Sequence, residues 1–141
     1  MTTFTVSKLI RFHHCDPAGI VFYPQFYVLL HEVQEDFLAH IGFPEHQMIE
    51  SGHGVPIVDM KTHFMGMCRN GDTVQISLAL TRLGNSSIGM RYSIQRGQKT
   101  ALQANAVVVY SRLPGGQPER LPDSLRQAMQ PYLEASQRES P

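Results

Sequence analysis

Residues 24–44, PQFYVLLHEVQEDFLAHIGFP, decide the architecture. Within them Phe26, Leu29, Leu30, Val33, Phe37, Leu38 and Ile41 recur at steps of three and four, the spacing of one apolar stripe on a helix. Pro24 suits a first helical turn, where its missing N–H is no loss. Gly42 supplies a stop and Pro44 prevents continuation. The stretch predicts the longest helix of the chain, lying against a sheet.

Strand signals surround it. Residues 3–12 alternate loosely (Phe4, Val6, Leu9, Ile10, Phe12) and are broken by Asp16-Pro17-Ala18-Gly19. Downstream, residues 55–67 are apolar and extended in character, followed by an Asn70-Gly71 turn signal. Val74, Ile76, Leu78 and Leu80 alternate with polar or small neighbours, as do Ile88, Met90, Tyr92 and Ile94. Residues 101–113 form a last strand, and residues 121–133 a weaker terminal helix (Leu125, Met129, Leu133). The expected order is strand, long helix, four strands in a meander, short C-terminal helix. That is an α+β domain with a largely antiparallel five-stranded sheet. One helix covers only part of one sheet face, so the sheet must curl around it or self-association must finish the core.

A length of 141 residues implies one domain, assigned to residues 1–134, with the polar residues 135–141 as a frayed tail. Hydrophobic residues at 42% and charged residues at 17% exclude an intrinsically disordered chain. Lys and Arg number 12 and Asp and Glu 12, so no basic excess suggests a nucleic-acid partner. No apolar run approaches the roughly 18 residues of a membrane span. Residues 1–10 lack the apolar segment and cleavage site of a signal peptide, and the expected location is cytoplasmic. Two cysteines, Cys15 and Cys68, make no disulfide framework, and there is no CxxC for zinc.

The chemistry concentrates in residues 15–24, CDPAGIVFYP. A carboxylate, Asp16, sits on a Pro/Gly-shaped loop leading into the long helix. The first helical turn offers unpaired N–H groups and the positive end of the macrodipole, which can polarise a carbonyl and hold an oxyanion. A nearby carboxylate can attack directly or activate water. These are parts for acyl transfer to water. The plain alternative is that Asp16 only caps its turn.

Residues 10–26, IRFHHCDPAGIVFYPQF, resemble the active-site signature of the 4-hydroxybenzoyl-CoA thioesterase family, matching it at Ile10, Cys15, Asp16, Gly19, Ile20, Val21, Tyr23 and Phe26. Residues 54–58, GVPIV, resemble the start of the family's acyl-pocket strand. The resemblance implies a hotdog fold, a curled sheet around one long helix, that hydrolyses an acyl-CoA thioester to free acid and CoA. It implies Asp16 as nucleophile or general base and the Tyr23 backbone N–H as donor to the thioester oxygen. Gly19, Val55, Pro56 and Ile57 would shape the substrate site. It implies no metal or redox cofactor, sites between two subunits, and homodimers or homotetramers. An aromatic acyl group of benzoyl or hydroxybenzoyl type is suggested, with short-chain acyl-CoA as the alternative. The sequence departs from the family at Leu9, where Gln or Arg is usual, and at His14, where many members are acidic. It also lacks a basic run in the turn at residues 84–86. Arg82, Arg91 and Arg120 are then candidates for the nucleotide phosphates. A non-catalytic hotdog module binding acyl-CoA or a protein is the rival class. A proline-rich loop with a catalytic His, the mark of a hotdog dehydratase, is absent.

Other constellations are weaker. His31-Glu32 begins like a zinc-protease motif, but position 35 is Glu where the second His should stand, and no metal site is expected. His13 and His14 would face opposite ways on a strand. His31 itself is expected as a surface or packed helix residue, with a place in the acyl pocket as the alternative. Met60, Phe64, Met65 and Met67 are assigned to the core, and Cys15 is a packing residue.

Overall fold

The computed structural model describes residues 2–134; the predicted tail at residues 135–141 lies outside them. The apolar stripe folds as an 18-residue helix, α1 (Tyr23–His40), burying Phe26, Leu29, Leu30, Val33, Gln34, Phe37 and Leu38. It lies on a five-stranded antiparallel sheet of β1 (Phe4–Leu9), β3 (Ile57–Phe64), β4 (Thr73–Leu83), β5 (Ser87–Arg96) and β6 (Lys99–Val109), in spatial order β1-β4-β5-β6-β3. Register aligns the helix-facing residues in rows. Phe4, Leu78, Tyr92 and Ala104 form one row, and Val6, Ile76, Ile94 and Leu102 the next. Residues between them, such as Ser77, Arg91, Ser93 and Asn105, take the opposite face, as the two-residue period of a strand requires. The α+β architecture expected from the sequence is thus present, with its short C-terminal helix, α3 (Asp123–Met129).

The four-strand meander is not. Only β4, β5 and β6 follow one another; β3 pairs with β6 at the far edge. The Asn70-Gly71 signal marks a real turn, with Gly71 at φ +94°, but it closes no hairpin between β3 and β4. It ends a crossover, residues 65–72, that runs from one side of the sheet to the other. Gly71 there donates its N–H to Ile10 O (2.8 Å) and Ile10 donates to Asp72 O (2.7 Å).

Two elements had no sequence signal. A six-residue helix, α2 (Glu45–Glu50), is too short to display a period. A small sheet joins β2 (His53–Gly54), β7 (Ser111–Arg112) and β8 (Gln117–Pro118), so the predicted last strand is broken after Val109. Glu119 clamps this sheet, accepting from Arg112 Nε (2.7 Å) and lying 2.7 Å from His53 Nε2, while the His53 ring stacks on Tyr110 at 5.0 Å. The Arg112 hydrogen bond, then that of His53, holds the Glu119 carboxyl below its ordinary value of 4.5. A carboxylate with a lowered folded-state pKa contributes stability above its unfolded value and loses it as pH falls through the folded one. Glu119→Gln should therefore lower Tm at pH 7. The gap from wild type should begin to close below pH 4.5, as read by thermal melts across pH.

Candidate active site

The carboxylate-bearing loop is a tight hairpin. Asp16 donates its N–H to Ile20 O (3.0 Å), Gly19 donates back to Asp16 O (2.9 Å), and Cys15 pairs with Val21. Gly19 sits at φ +80°, where a side chain would be strained. The hairpin is tied on two sides. Phe22 donates to His14 O (3.0 Å), fixing it to the start of α1, while Val21 donates to Cys68 O (2.9 Å) and Asn70 to Gly19 O (3.0 Å), fixing it to the crossover. Asp16 Oδ1 accepts the Ala18 N–H (2.9 Å), so Asp16 does cap its turn; Oδ2 has no partner among the described residues. Asp16 also lines an open cavity of about 370 Å³ with Phe12, Cys15, Pro17, Gly19 and Asn70.

Tyr23 begins α1 with Pro24 behind it. Gln25 spends its N–H on Phe22 O (2.8 Å), and the Tyr23 N–H has no acceptor among the described residues, as expected of a first helical turn. His14, where the family is often acidic, is buried, and its Nδ1 accepts the Arg11 N–H (2.9 Å). Burial, then the neighbouring His13, lowers its pKa, so the ring is neutral with its proton on Nε2. His13 and His14 do not face apart as on a strand: a 3-10 turn, Phe12–His14, brings their rings to 4.1 Å. Burial raises the Cys15 thiol pKa, which suits packing and not attack.

The other predicted site residues lie at the opposite end of the chain. Val55, Pro56 and Ile57 line a second cavity, of about 400 Å³, against His31 and Gln34 of α1 and Glu45 of α2. Arg82 is exposed near the β4–β5 turn, and Arg120 pairs with Asp123 (3.0 Å) beside that same turn, where Leu121 donates to Asn85 O (2.8 Å). Arg91 instead pairs with Glu134. The 11 residues of β4, at roughly 3.3 Å each, separate that turn from the Asp16 hairpin. One chain therefore carries Asp16, Gly19 and Tyr23 at one end and Val55, Pro56, Ile57, Arg82 and Arg120 at the other.

A family model described as the thioesterase-like superfamily matches residues 10–129. The chain belongs to the thioesterase-like superfamily. It is 30% identical over 122 residues to a 1,4-dihydroxy-2-naphthoyl-CoA hydrolase of Thermosynechococcus vestitus, covering 84% of this chain and 83% of that one. It is 28% identical over 97 residues to the 4-hydroxybenzoyl-CoA thioesterase of Pseudomonas sp. strain CBS-3, covering 67% and 69%. Among solved structures, a gentisyl-coenzyme A thioesterase superposes with a TM-score of 0.81 at 25% identity, over 90% of this chain and 99% of that one.

In this member of the thioesterase-like superfamily, sequence reasoning missed Asn70, Gln34 and Glu45. Asn70 reaches the hairpin only through the crossover, and Glu45 sits on the helix too short to predict. Gln34 did leave a signal, as a polar residue inside the buried stripe. His31, Glu35 and Glu45 bring ligand-type atoms within 4.8 Å of one another. They already contact one another, with His31 Nε2 3.4 Å from each carboxylate. Phe64, Met65 and Met67 are not core: with Ile57 and Val58 they are 49–62% exposed along β3 and the crossover. Nothing lies within 4 Å of a Cβ built on Gly19, so backbone strain alone should set the cost of Gly19→Ala, about 1–2 kcal/mol. Urea unfolding should show that loss, and Gly19→Asn should recover part of it.

Proposed function

We propose that the chain hydrolyses an aromatic acyl-CoA, at a site completed by a second copy of itself. The observation that carries this reading is the rigid union of an Asp16 hairpin with an unpaired Tyr23 amide at the start of α1. The thioester carbonyl oxygen is polarised by the Tyr23 N–H at the positive end of the helix. Asp16 then acts in one of two ways. It attacks the carbonyl carbon, expelling CoA thiolate and leaving a mixed anhydride that water opens, or it takes a proton from water as the water attacks, passing that proton on to the departing thiolate. Each route yields free acid and CoA. The relatives named above act on hydroxylated aromatic acyl-CoA thioesters, which supports the acyl class. No described helix is long and apolar enough to cross a membrane, and we read the enzyme as cytoplasmic.

The second copy follows from reach. Gln34, beside the Val55–Ile57 wall, is 11 residues along α1 from Tyr23, about 16 Å of helix rise. A benzoyl ring extends less than half that distance from its carbonyl carbon. Among the described residues no strand pairs with the outer edge of β3, which exposes Ile57, Val58 and Phe64 beside Asp59 and Lys61, a strip open to strand pairing. Antiparallel pairing of two β3 edges about their centre sets one chain's Ile57 beside the other's Phe64, whose ring contacts Tyr23 at 6.5 Å and Phe26 at 5.9 Å. The acyl wall and the arginines of one copy then approach the Asp16 end of the other.

Asp16→Asn should reduce kcat for acyl-CoA at least 10²-fold, with folding intact by circular dichroism; survival within a few-fold would remove Asp16 from the chemistry. Sedimentation should give a dimer or tetramer. Pro56→Trp, at the exposed rim of the acyl wall, should also abolish turnover. Co-refolding it with Asp16→Asn should restore part of the activity, because half the mixed dimer's sites are then intact. A mixture as inactive as its parents would place the whole site in one chain.

A further inference from the structure

The turn that leads into the Asp16 hairpin is closed from within. His14 donates its N–H to Arg11 O (3.0 Å) and Cys15 donates to Phe12 O (3.1 Å). The return bond ends on a side chain: His14 Nδ1 accepts the Arg11 N–H at 2.9 Å. This is a capping-box arrangement, in which the third residue of a turn takes back the N–H of the residue that opens it. Glu or Gln usually does this. The His14 residue is 4% exposed, and its ring lies against that of His13 at 4.1 Å. Its carbonyl accepts the Phe22 N–H at the entry to α1 (3.0 Å). One residue thus holds both the approach to the acid and the start of the helix that bears the Tyr23 amide.

We infer that His14 is a positioning residue for the proposed hydrolysis: its neutral ring closes this turn, and turnover requires the ring to stay neutral. An imidazole accepts through Nδ1 only while that nitrogen carries no proton. Protonation sets N–H against N–H, leaves the Arg11 amide without its acceptor and puts a charge in a buried place. The charged ring is driven outward, and the same residue's carbonyl holds Phe22. Acid and amide then lose their mutual fixing, and a misplacement of about 1 Å can cost roughly 10²-fold in rate. Burial opposes the charge most, then His13; Glu32 of α1 favours it, and Arg11 and Lys8 of β1 add to the opposition. A polar cavity of about 250 Å³, lined by Lys8, His14, Leu29 and Glu32, gives protons a route to the ring. An acidic side chain, frequent here in the family, could take the same N–H without this sensitivity near neutral pH. The inference rests on the thioesterase reading and adds to it a condition on pH.

The test follows kcat and KM against pH in the full-length protein, with 4-hydroxybenzoyl-CoA as substrate. His14→Leu keeps an apolar bulk in place but cannot accept. It should lower kcat near neutral pH by about tenfold or more, with little change in KM. His14→Asn offers Oδ1 in place of Nδ1 and should recover most of that loss. Wild-type kcat should fall as pH drops below 6.5, the ordinary value of the ring, and the fall in His14→Asn should begin at lower pH. A His14→Leu enzyme with wild-type kcat, or an acid limb that His14→Asn leaves in place, overturns the inference. Should His14→Leu fail to fold, the pH profile of His14→Asn carries the decision. If no acyl-CoA is turned over at all, the thioesterase reading falls by itself, and nuclear magnetic resonance decides the turn. The Arg11 amide should shift, and exchange its hydrogen faster than the pH change alone dictates, as the His14 ring takes up its proton. An Arg11 amide indifferent to that titration removes His14 from the turn.

Discussion

A short run of backbone hydrogen bonds governs this molecule. Phe22 to His14, Val21 to Cys68, Asn70 to Gly19 and Gly71 to Ile10 join three segments far apart in sequence: the end of β1, the entry to α1 and the crossover before β4. Each bond is worth only about 1 kcal/mol net. Together they leave the Asp16 hairpin no freedom independent of the helix start. A carboxylate on a free loop would sample many positions relative to the first helical amides. Here, backbone hydrogen bonds tie the hairpin to the helix terminus, so under the proposed reaction much of the cost of orienting acid and amide would be met when the chain folds.

What the sequence disclosed follows from range. The α1 stripe and the alternation in β4 and β5 are local patterns, and folding preserved them within a residue or two. The Asp16 hairpin was legible because Pro17 and Gly19 restrict the backbone whatever surrounds them. The place of β3 was not, because its partner in β6 lies about 45 positions on in the chain, as in Met60 opposite Ala106, and no local signal encodes so distant a pairing. The same blind spot misassigned Phe64, Met65 and Met67. An apolar run fits a buried strand and an exposed edge equally well, and only the strand order separates the two.

Gln34 is a different case. Its position was in the stripe and its polarity was visible, yet a stripe tolerates one odd residue without losing its period. Its meaning depends on Tyr92, on a strand 58 positions away, and on a cavity walled by residues from α2 and the start of β3. Local rules fail where a residue's partner is distant, and a buried carboxamide bonded to a tyrosine hydroxyl on another element is such a case.

The two edges of the sheet differ in what they present to solvent. On β1, Thr5 and Ser7 turn their hydroxyls to Ser77 and Gln75 of β4, and Lys8 is clamped between Glu32 (3.6 Å) and Asp36 (3.3 Å) of α1. A charged, side-chain-engaged edge resists further strands. The β3 edge exposes Ile57, Val58 and Phe64, with Asp59 and Lys61 standing exposed among them. Because α1 crosses the sheet with Tyr23 at the Phe64 end of β3 and Gln34 at the Ile57 end, the proposed two-fold pairing through that edge would set one chain's helix start against residues 55–57 of the other. The proposed two-chain site rests on these two features: an apolar stretch on the β3 edge and a helix running alongside β3.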